Sequence, residues 1–248
     1  MSLSDQSKIF FRFAGLSLFG ALLIYQLVVA AGTGLADVYA LPTMNFLLEI
    51  HDRHLELTEE DRQVVEINLS RALALAPGNP DYLSNLGWLQ QIRLRQEQDT
   101  LDPVEKAQLE ALAYQSYAQA SALRPTWPYD WGDMALEQYR QANFSGASYH
   151  RALVNAARFG PWKDDIQVII TEHALHTWDD LNPAARQALL MTIDRGLQRQ
   201  PDTIIAIIKA YPAWTTVCAP EQGGIAAFAA LPHLLAECQR RVYVESGS

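Results

Sequence analysis

The segment YAQASALRP, residues 117–125, places a large apolar residue, a small residue and a proline at fixed spacing. Ala120 follows Tyr117 by three positions, and Pro125 follows Ala120 by five. Residues three or four apart share a helix face, and proline ends a helix because it lacks a backbone N–H. The segment is therefore predicted to be the end of a helix that another helix can approach closely.

The same pattern recurs on both sides of this segment, in LSRALALAP at 69–77 and LVNAARFGP at 153–161. The interval from Pro125 to Pro161 is close to the 34-residue period of tetratricopeptide repeats, and these endings resemble the second helix of that repeat. The interval from Pro77 to Pro125 is longer. It fits the period if the residues from about 95 to 110 are an insertion.

Proline-led segments between these endings resemble the first helix of the same repeat. PDYLSNLG at 80–87 has the Leu-Gly pair in the expected place, and PYDWGDMA at 128–135 has Trp and Ala instead. Because strand signals are scarce, the chain is predicted to be all-α. We expect a TPR-like α-solenoid of about ten helices, with repeats over 57–211 and a C-terminal helical cap over 212–248.

An apolar run at residues 13–31 comes before the repeats. As a helix it would cover about 28 Å, enough to cross a bilayer. Lys8 and Arg12 precede the run and no basic residue follows until Arg53, so the positive-inside rule places residues 1–12 in the cytoplasm and the bulk outside it. A cleaved signal peptide is the alternative; the length of the run favours an uncleaved anchor.

The segment that follows, residues 32–56, is predicted to be a juxtamembrane linker or short helix interrupted by Pro42. Within the membrane helix, Ser17, Ala21 and Gln26 are candidate contacts with another membrane helix, since small residues and a lone amide favour such packing. The alternative is a helix that merely tolerates them.

Composition excludes several classes of function. The net charge of −9 argues against nucleic-acid binding and against a polybasic lipid-binding surface. Cys218 and Cys238 lie on the expected oxidising side of the membrane and are predicted to form a disulfide. That bridge requires the chain to turn at Pro232, since one continuous helix would keep the two sulfurs apart.

Four features occur together in this chain: a predicted membrane span, the ending ALRP at 122–125, WPYDW at 127–131 and RFGPW at 158–162. The combination resembles small tetratricopeptide accessory proteins of bacterial polysaccharide and exopolysaccharide machinery, of the Vps type, from the anchor to about Ala219. The resemblance implies a single-pass inner-membrane protein whose bulk lies in the periplasm and serves glycan synthesis or export. It implies no catalytic residue.

The repeat register predicts a concave partner-binding groove, and it makes Arg140 a candidate anchor for a partner carboxylate. We expect the partners to be other membrane or periplasmic proteins. The predicted lining residues are Asp81, Ser84, Trp88, Gln91, Tyr129, Leu136, Tyr139 and Arg140.

Catalytic and metal-site patterns are weak. His51 and His54, and likewise His173 and His176, share a helix face without an obvious third ligand, so they are interpreted as polar surface or groove residues. No nucleophile elbow or phosphate-binding loop is present, and neither an enzyme nor a cofactor is predicted.

Two alternatives remain open: a scaffold for another envelope complex, such as one for cytochrome maturation, pili or secretion, and a glycan-binding module. Exposed coplanar aromatic rings would favour glycan binding. We expect Trp127, Trp131 and Trp162 instead to fill the core between repeats, whereas Tyr129 and Tyr139 are expected at the groove.

Overall fold

The computed structural model describes the backbone of residues 3–211, 217–218 and 230–246, and within these ranges the side chains between residues 15 and 240. These residues contain ten α-helices and no strand, which confirms the all-α prediction. The helices are α1 (Leu3–Asp52), α2 (Glu59–Leu75), α3 (Pro80–Gln96), α4 (Pro103–Leu123), α5 (Pro128–Arg140), α6 (Ala147–Phe159), α7 (Asp164–His176), α8 (Pro183–Arg199), α9 (Pro201–Ala210) and α10 (Pro232–Ser246).

The chain divides into two compact units, Met1–Asn85 and Leu86–Ser248, with the boundary inside α3. In the first unit, α1 is one helix through Pro42, so the predicted interruption there is wrong. Proline removes a single N–H donor, and α1 has buried residues on both sides of Pro42.

Helix α1 has two parts with different exposure. From residue 21 to residue 31 every side chain is exposed, whereas the later part buries residues at alternating spacings of four and three. Spacings of four and three place these residues on one side of the helix, as in helices that pack against each other. Helix α2 also has a buried face in this unit. The buried residues of the later part are Ala36, Ala40, Thr43, Leu47 and Ile50.

Local capping sets the starts of two helices. The Thr58 side chain accepts a hydrogen bond from the Asp61 backbone N–H, and the Asp61 carboxylate accepts one from the Thr58 backbone N–H. Asp102 and Glu105 form the same capping box at the start of α4. Each box satisfies two N–H groups that a helix start would otherwise leave without a partner.

The second unit is built from helix hairpins. Helix α5 packs against α6 and α7 against α8, while α7 also contacts α5 and α8 contacts α6. A continuous apolar core runs through these pairs and includes the small residues Ala156 and Ala157 of the segment at 153–161.

Gly87 allows one close helix approach in this unit. A Cβ atom at Gly87 would lie 2.8 Å from the ring of Tyr117, which is buried in α4. No larger residue fits there unless the ring moves. The glycine of the Leu-Gly pair in the segment at 80–87 is therefore required by the close packing of α3 against Tyr117.

The two cysteines form the predicted disulfide, with Cα atoms of Cys218 and Cys238 5.5 Å apart. Helix α10 begins at Pro232, so no continuous helix passes through that residue. Asp194 of α8 accepts hydrogen bonds from the backbone N–H groups of His233 and Leu234 and thereby caps this helix start.

Candidate interaction surface

The open face of helix α5 consists of five side chains that are not fully buried, while the remaining residues of the helix are buried. Four of them are residues predicted for the groove, and the fifth, Asp133, was not predicted. We call this set the open face: Tyr129, Asp133, Leu136, Tyr139 and Arg140.

Helix α7 brings two histidines against one end of the open face. The hydroxyl of Tyr139 lies 2.5 Å from Nδ1 of His176, and the ring centroids of Tyr139 and His173 are 4.6 Å apart. His176 also contacts the ring of Tyr211 at 5.6 Å, just after α9. The histidine pair, which the sequence offers little reason to regard as a metal site, thus belongs to an aromatic cluster shared by α5 and α7.

Burial holds the imidazole of His173 neutral. Burial, together with the nearby charges of Arg140 and His176, lowers the pKa of His173 to about 4. The hydroxyl of Tyr139 has a raised pKa, because burial and the charge of Glu172 disfavour the phenolate. Near neutral pH this end of the open face therefore presents the uncharged rings of His173 and Tyr139 beside the Arg140 cation.

At the other end of the open face, Tyr129 meets Trp127 at a ring separation of 5.4 Å. The guanidinium of Arg124 lies over the Trp127 ring at 4.5 Å from its centroid. The planes of the two rings are tilted by 49°. This pair gives a partner apolar ring edges and a cation–π contact, without a flat stacking platform.

A group of polar side chains lies behind the open face and links α3 to α5. Gln91 donates from Nε2 to Oε1 of Glu137 at 3.0 Å, and Arg140 donates from Nη1 to the same oxygen at 2.6 Å. Two predicted groove residues on different helices therefore converge on one carboxylate that is 0% exposed. Arg140 is consequently tied to Glu137 through one of its five N–H donors.

Carboxylates are crowded in this group. Burial, together with the neighbouring charges of Asp130 and Glu137, raises the pKa of Asp133 to about 7, against the lowering effects of the Gln91 hydrogen bond and the Arg140 charge. Burial likewise raises the pKa of Glu137, against the opposing effect of Arg140. Within the described residues, Oε2 of Glu137 and the hydroxyl of buried Tyr117 have no hydrogen-bond partner.

The other predicted groove residues are placed as follows. Trp88 and Gln91 are half-buried in the second unit, and Asp81 and Ser84 are half-buried in the first. The Ser84 hydroxyl donates to the Pro80 carbonyl at 3.0 Å. All four fall on partly open positions of α3.

The tryptophan predictions are partly wrong. Trp131 is buried and donates from Nε1 to the Pro125 carbonyl at 2.8 Å, as expected of a core residue. Trp127 is 40% exposed and Trp162 is 54% exposed, because both lie in turns beyond the hairpin core. Trp214 lies outside the described residues.

The membrane-helix candidates Ser17, Ala21 and Gln26 are exposed on α1. Among the described residues, one helix is long and apolar enough to span a bilayer, and its candidate range is Gly15–Asp52. In the same part of the chain, no three His, Cys, Asp or Glu residues are grouped so that they could hold a metal ion.

Comparison with protein-family models, with curated proteins and with solved structures finds no match to this chain.

Proposed function

We propose that the protein is a membrane-anchored scaffold that binds a segment of a partner protein on the open face of α5 and the adjoining histidines of α7. The observation that carries this proposal is the composition of that surface. It combines aromatic rings, one aliphatic side chain, a cation and neutral hydrogen-bonding groups on a rigid helix pair, which is typical of protein interfaces.

The pairing of α5 with α6 and α7 with α8 supports a TPR-like solenoid as the framework. In such an array, each hairpin buries its apolar face against its neighbours, and the first helices of successive hairpins line the concave side. The contact of α5 with α7 fits this arrangement, and it makes the open face part of the inner wall.

The anchor is the exposed apolar part of α1, with the basic N-terminus in the cytoplasm and the bulk in the bacterial periplasm. The disulfide supports this orientation, since such bridges persist in oxidising compartments. Reporter fusions at Ser248 test it: a periplasm-dependent reporter should be active, and activity of only a cytoplasm-dependent reporter would contradict the topology.

The resemblance to Vps-type accessory proteins makes the partner a component of a polysaccharide synthesis or export machine. A scaffold for another envelope complex is the alternative. A glycan platform is less well supported, because the ring pairs of the open face are tilted by 37–60°.

Tyr129→Ala combined with Leu136→Ala tests the scaffold function in full-length protein purified from its own membranes. We expect this variant to lose the proteins that co-purify with wild type while retaining helical content. A matched control, Gln115→Ala with Gln119→Ala on the exposed side of α4, should keep them.

Retention of every partner by the open-face variant would overturn the proposal. The identity of the lost proteins separates the alternatives: glycan polymerases or exporters support the polysaccharide machine, and components of cytochrome, pilus or secretion systems support another complex.

A further inference from the structure

A second surface feature lies on helices α6 and α8, and it shares no residue with the open face. It is a trough with a cavity volume of 410 Å³. Its apolar floor includes Val154, Ala157, Ala188 and Met191. A cavity of this size is within the range that binds a small ligand or a few side chains.

Two arginines line the trough, Arg158 from α6 and Arg195 from α8, and no Asp or Glu belongs to its lining. Both guanidiniums lie over rings: Arg158 over Phe159 at 5.4 Å, and Arg195 over the exposed ring of Trp162 at 5.7 Å. Neither arginine pairs with a carboxylate of the described residues. In a chain with a net charge of −9, this acid-free site is a local exception.

The trough therefore combines an apolar floor with two guanidiniums whose carboxylate-binding positions are unoccupied by the described part of the chain. Apolar side chains gain free energy when they cover such a floor, and guanidinium binds carboxylate through paired charge-assisted hydrogen bonds. The complementary occupant carries a large apolar group next to one or more carboxylates.

We propose that this trough binds a short peptide segment of a partner protein in which large apolar residues alternate with Asp or Glu. The openness of the site favours a peptide over an acyl chain. Ala184, Gln187 and Arg158 at its rim are exposed, so a long hydrocarbon chain would keep much of its surface in water, whereas a peptide needs to bury only its anchor side chains.

The experiment selects ligands from a phage-displayed library of random twelve-residue peptides on the full-length chain in lipid nanodiscs, which avoid detergent in the trough. Selected peptides are then measured by fluorescence polarisation at low and high salt. We expect them to contain Leu, Ile, Phe or Trp beside Asp or Glu, and to bind more weakly at high salt.

Two variants locate the binding. Arg158→Glu with Arg195→Glu reverses the charge of the trough, and Ala188→Trp fills its floor; each should weaken binding at least tenfold. The charge-matched control, Lys106→Glu with Arg151→Glu, changes exposed residues outside the lining and should leave affinity within twofold. Circular dichroism verifies that all variants are folded.

The open-face variant Tyr129→Ala with Leu136→Ala should bind these peptides normally, so the two proposals can fail separately. Enrichment of basic or neutral peptides, no enrichment, or equal affinity for the charge-reversed variant would overturn the inference. Dodecanoate is the lipid probe: its binding to the trough without any selected peptide would assign the site to an acyl ligand and would also overturn it.

Discussion

Arg140 donates a hydrogen bond of 2.6 Å to Glu137, one helical turn earlier, whose side chain is completely buried. The pair joins the surface of α5 to its interior. The cation that reaches the open face is thus also the charge partner of a buried carboxylate.

This pair predicts that Arg140→Ala destabilises the protein by about 3 kcal/mol, because it leaves a buried charge without its cation. Glu137→Gln combined with Arg140→Ala should recover most of the loss, since the amide needs no counter-charge. Urea unfolding followed by circular dichroism measures both. Equal losses in the single and double variants would show that the ion pair is not the cause.

Asp133 predicts a pH dependence of stability. Its pKa is about 7 in the folded protein, against 3.8 for an unperturbed aspartate, so folding favours the protonated form. The stabilisation is complete below pH 3.8 and is lost as pH rises through 7. Asp133→Asn stays neutral, and its stability relative to wild type should grow on the order of 2–4 kcal/mol between about pH 4 and pH 8.

Unfolding of wild type and Asp133→Asn across this pH range provides the measurement. His173 acts in the opposite sense, because its lowered pKa gives stability that is lost as pH falls from 6.5 to about 4. This contribution of His173 is present in both proteins, so it cancels in the difference between their free energies of unfolding. If the difference in free energy of unfolding between the two proteins does not change with pH, the pKa of Asp133 is not raised in the folded protein.

The tryptophans provide a pair of identical substitutions in different surroundings. Trp131→Ala should cost about 3–5 kcal/mol, because it empties a core position and removes a hydrogen bond to Pro125. Trp162→Ala changes an exposed ring and should cost roughly 0.5 kcal/mol or less. Thermal unfolding of the two variants compares them directly, and similar losses would be inconsistent with these positions.

The disulfide predicts the absence of free thiol in denatured, unreduced protein purified from membranes. Replacement of Cys218 or Cys238 by Ser should lower the free energy of unfolding by about 2–4 kcal/mol, since the bridge restricts the unfolded chain. Two titratable thiols in the wild-type protein would refute the bridge.

Local features of the fold could be predicted from sequence because they depend on neighbours along the chain. The capping boxes at Thr58 and Asp102 join residues only three apart, and the break at Pro232 is where the sequence predicts it. The partly exposed residues of α5 could also be predicted, with the exception of Asp133, because a helix of known register has a calculable inner and outer face.

Contacts between helices required the tertiary structure. The sequence shows His173 and His176 as one pair and Tyr139 as a separate residue, and only the approach of α7 to α5 brings them together. Exposure of Trp162 likewise depends on where the hairpin core ends.

The amino-acid sequence by itself determined the helical class, the apolar N-terminal segment, the helix starts and the pairing of the cysteines. The tertiary structure alone decided that α1 continues through Pro42, that Arg140 is held by Glu137, and that an acid-free trough forms between α6 and α8. The first group follows from patterns within a few residues of the chain and, for the cysteines, from the expected oxidising compartment. The second depends on burial and charge contributed by side chains that the chain brings together only when its helices pack.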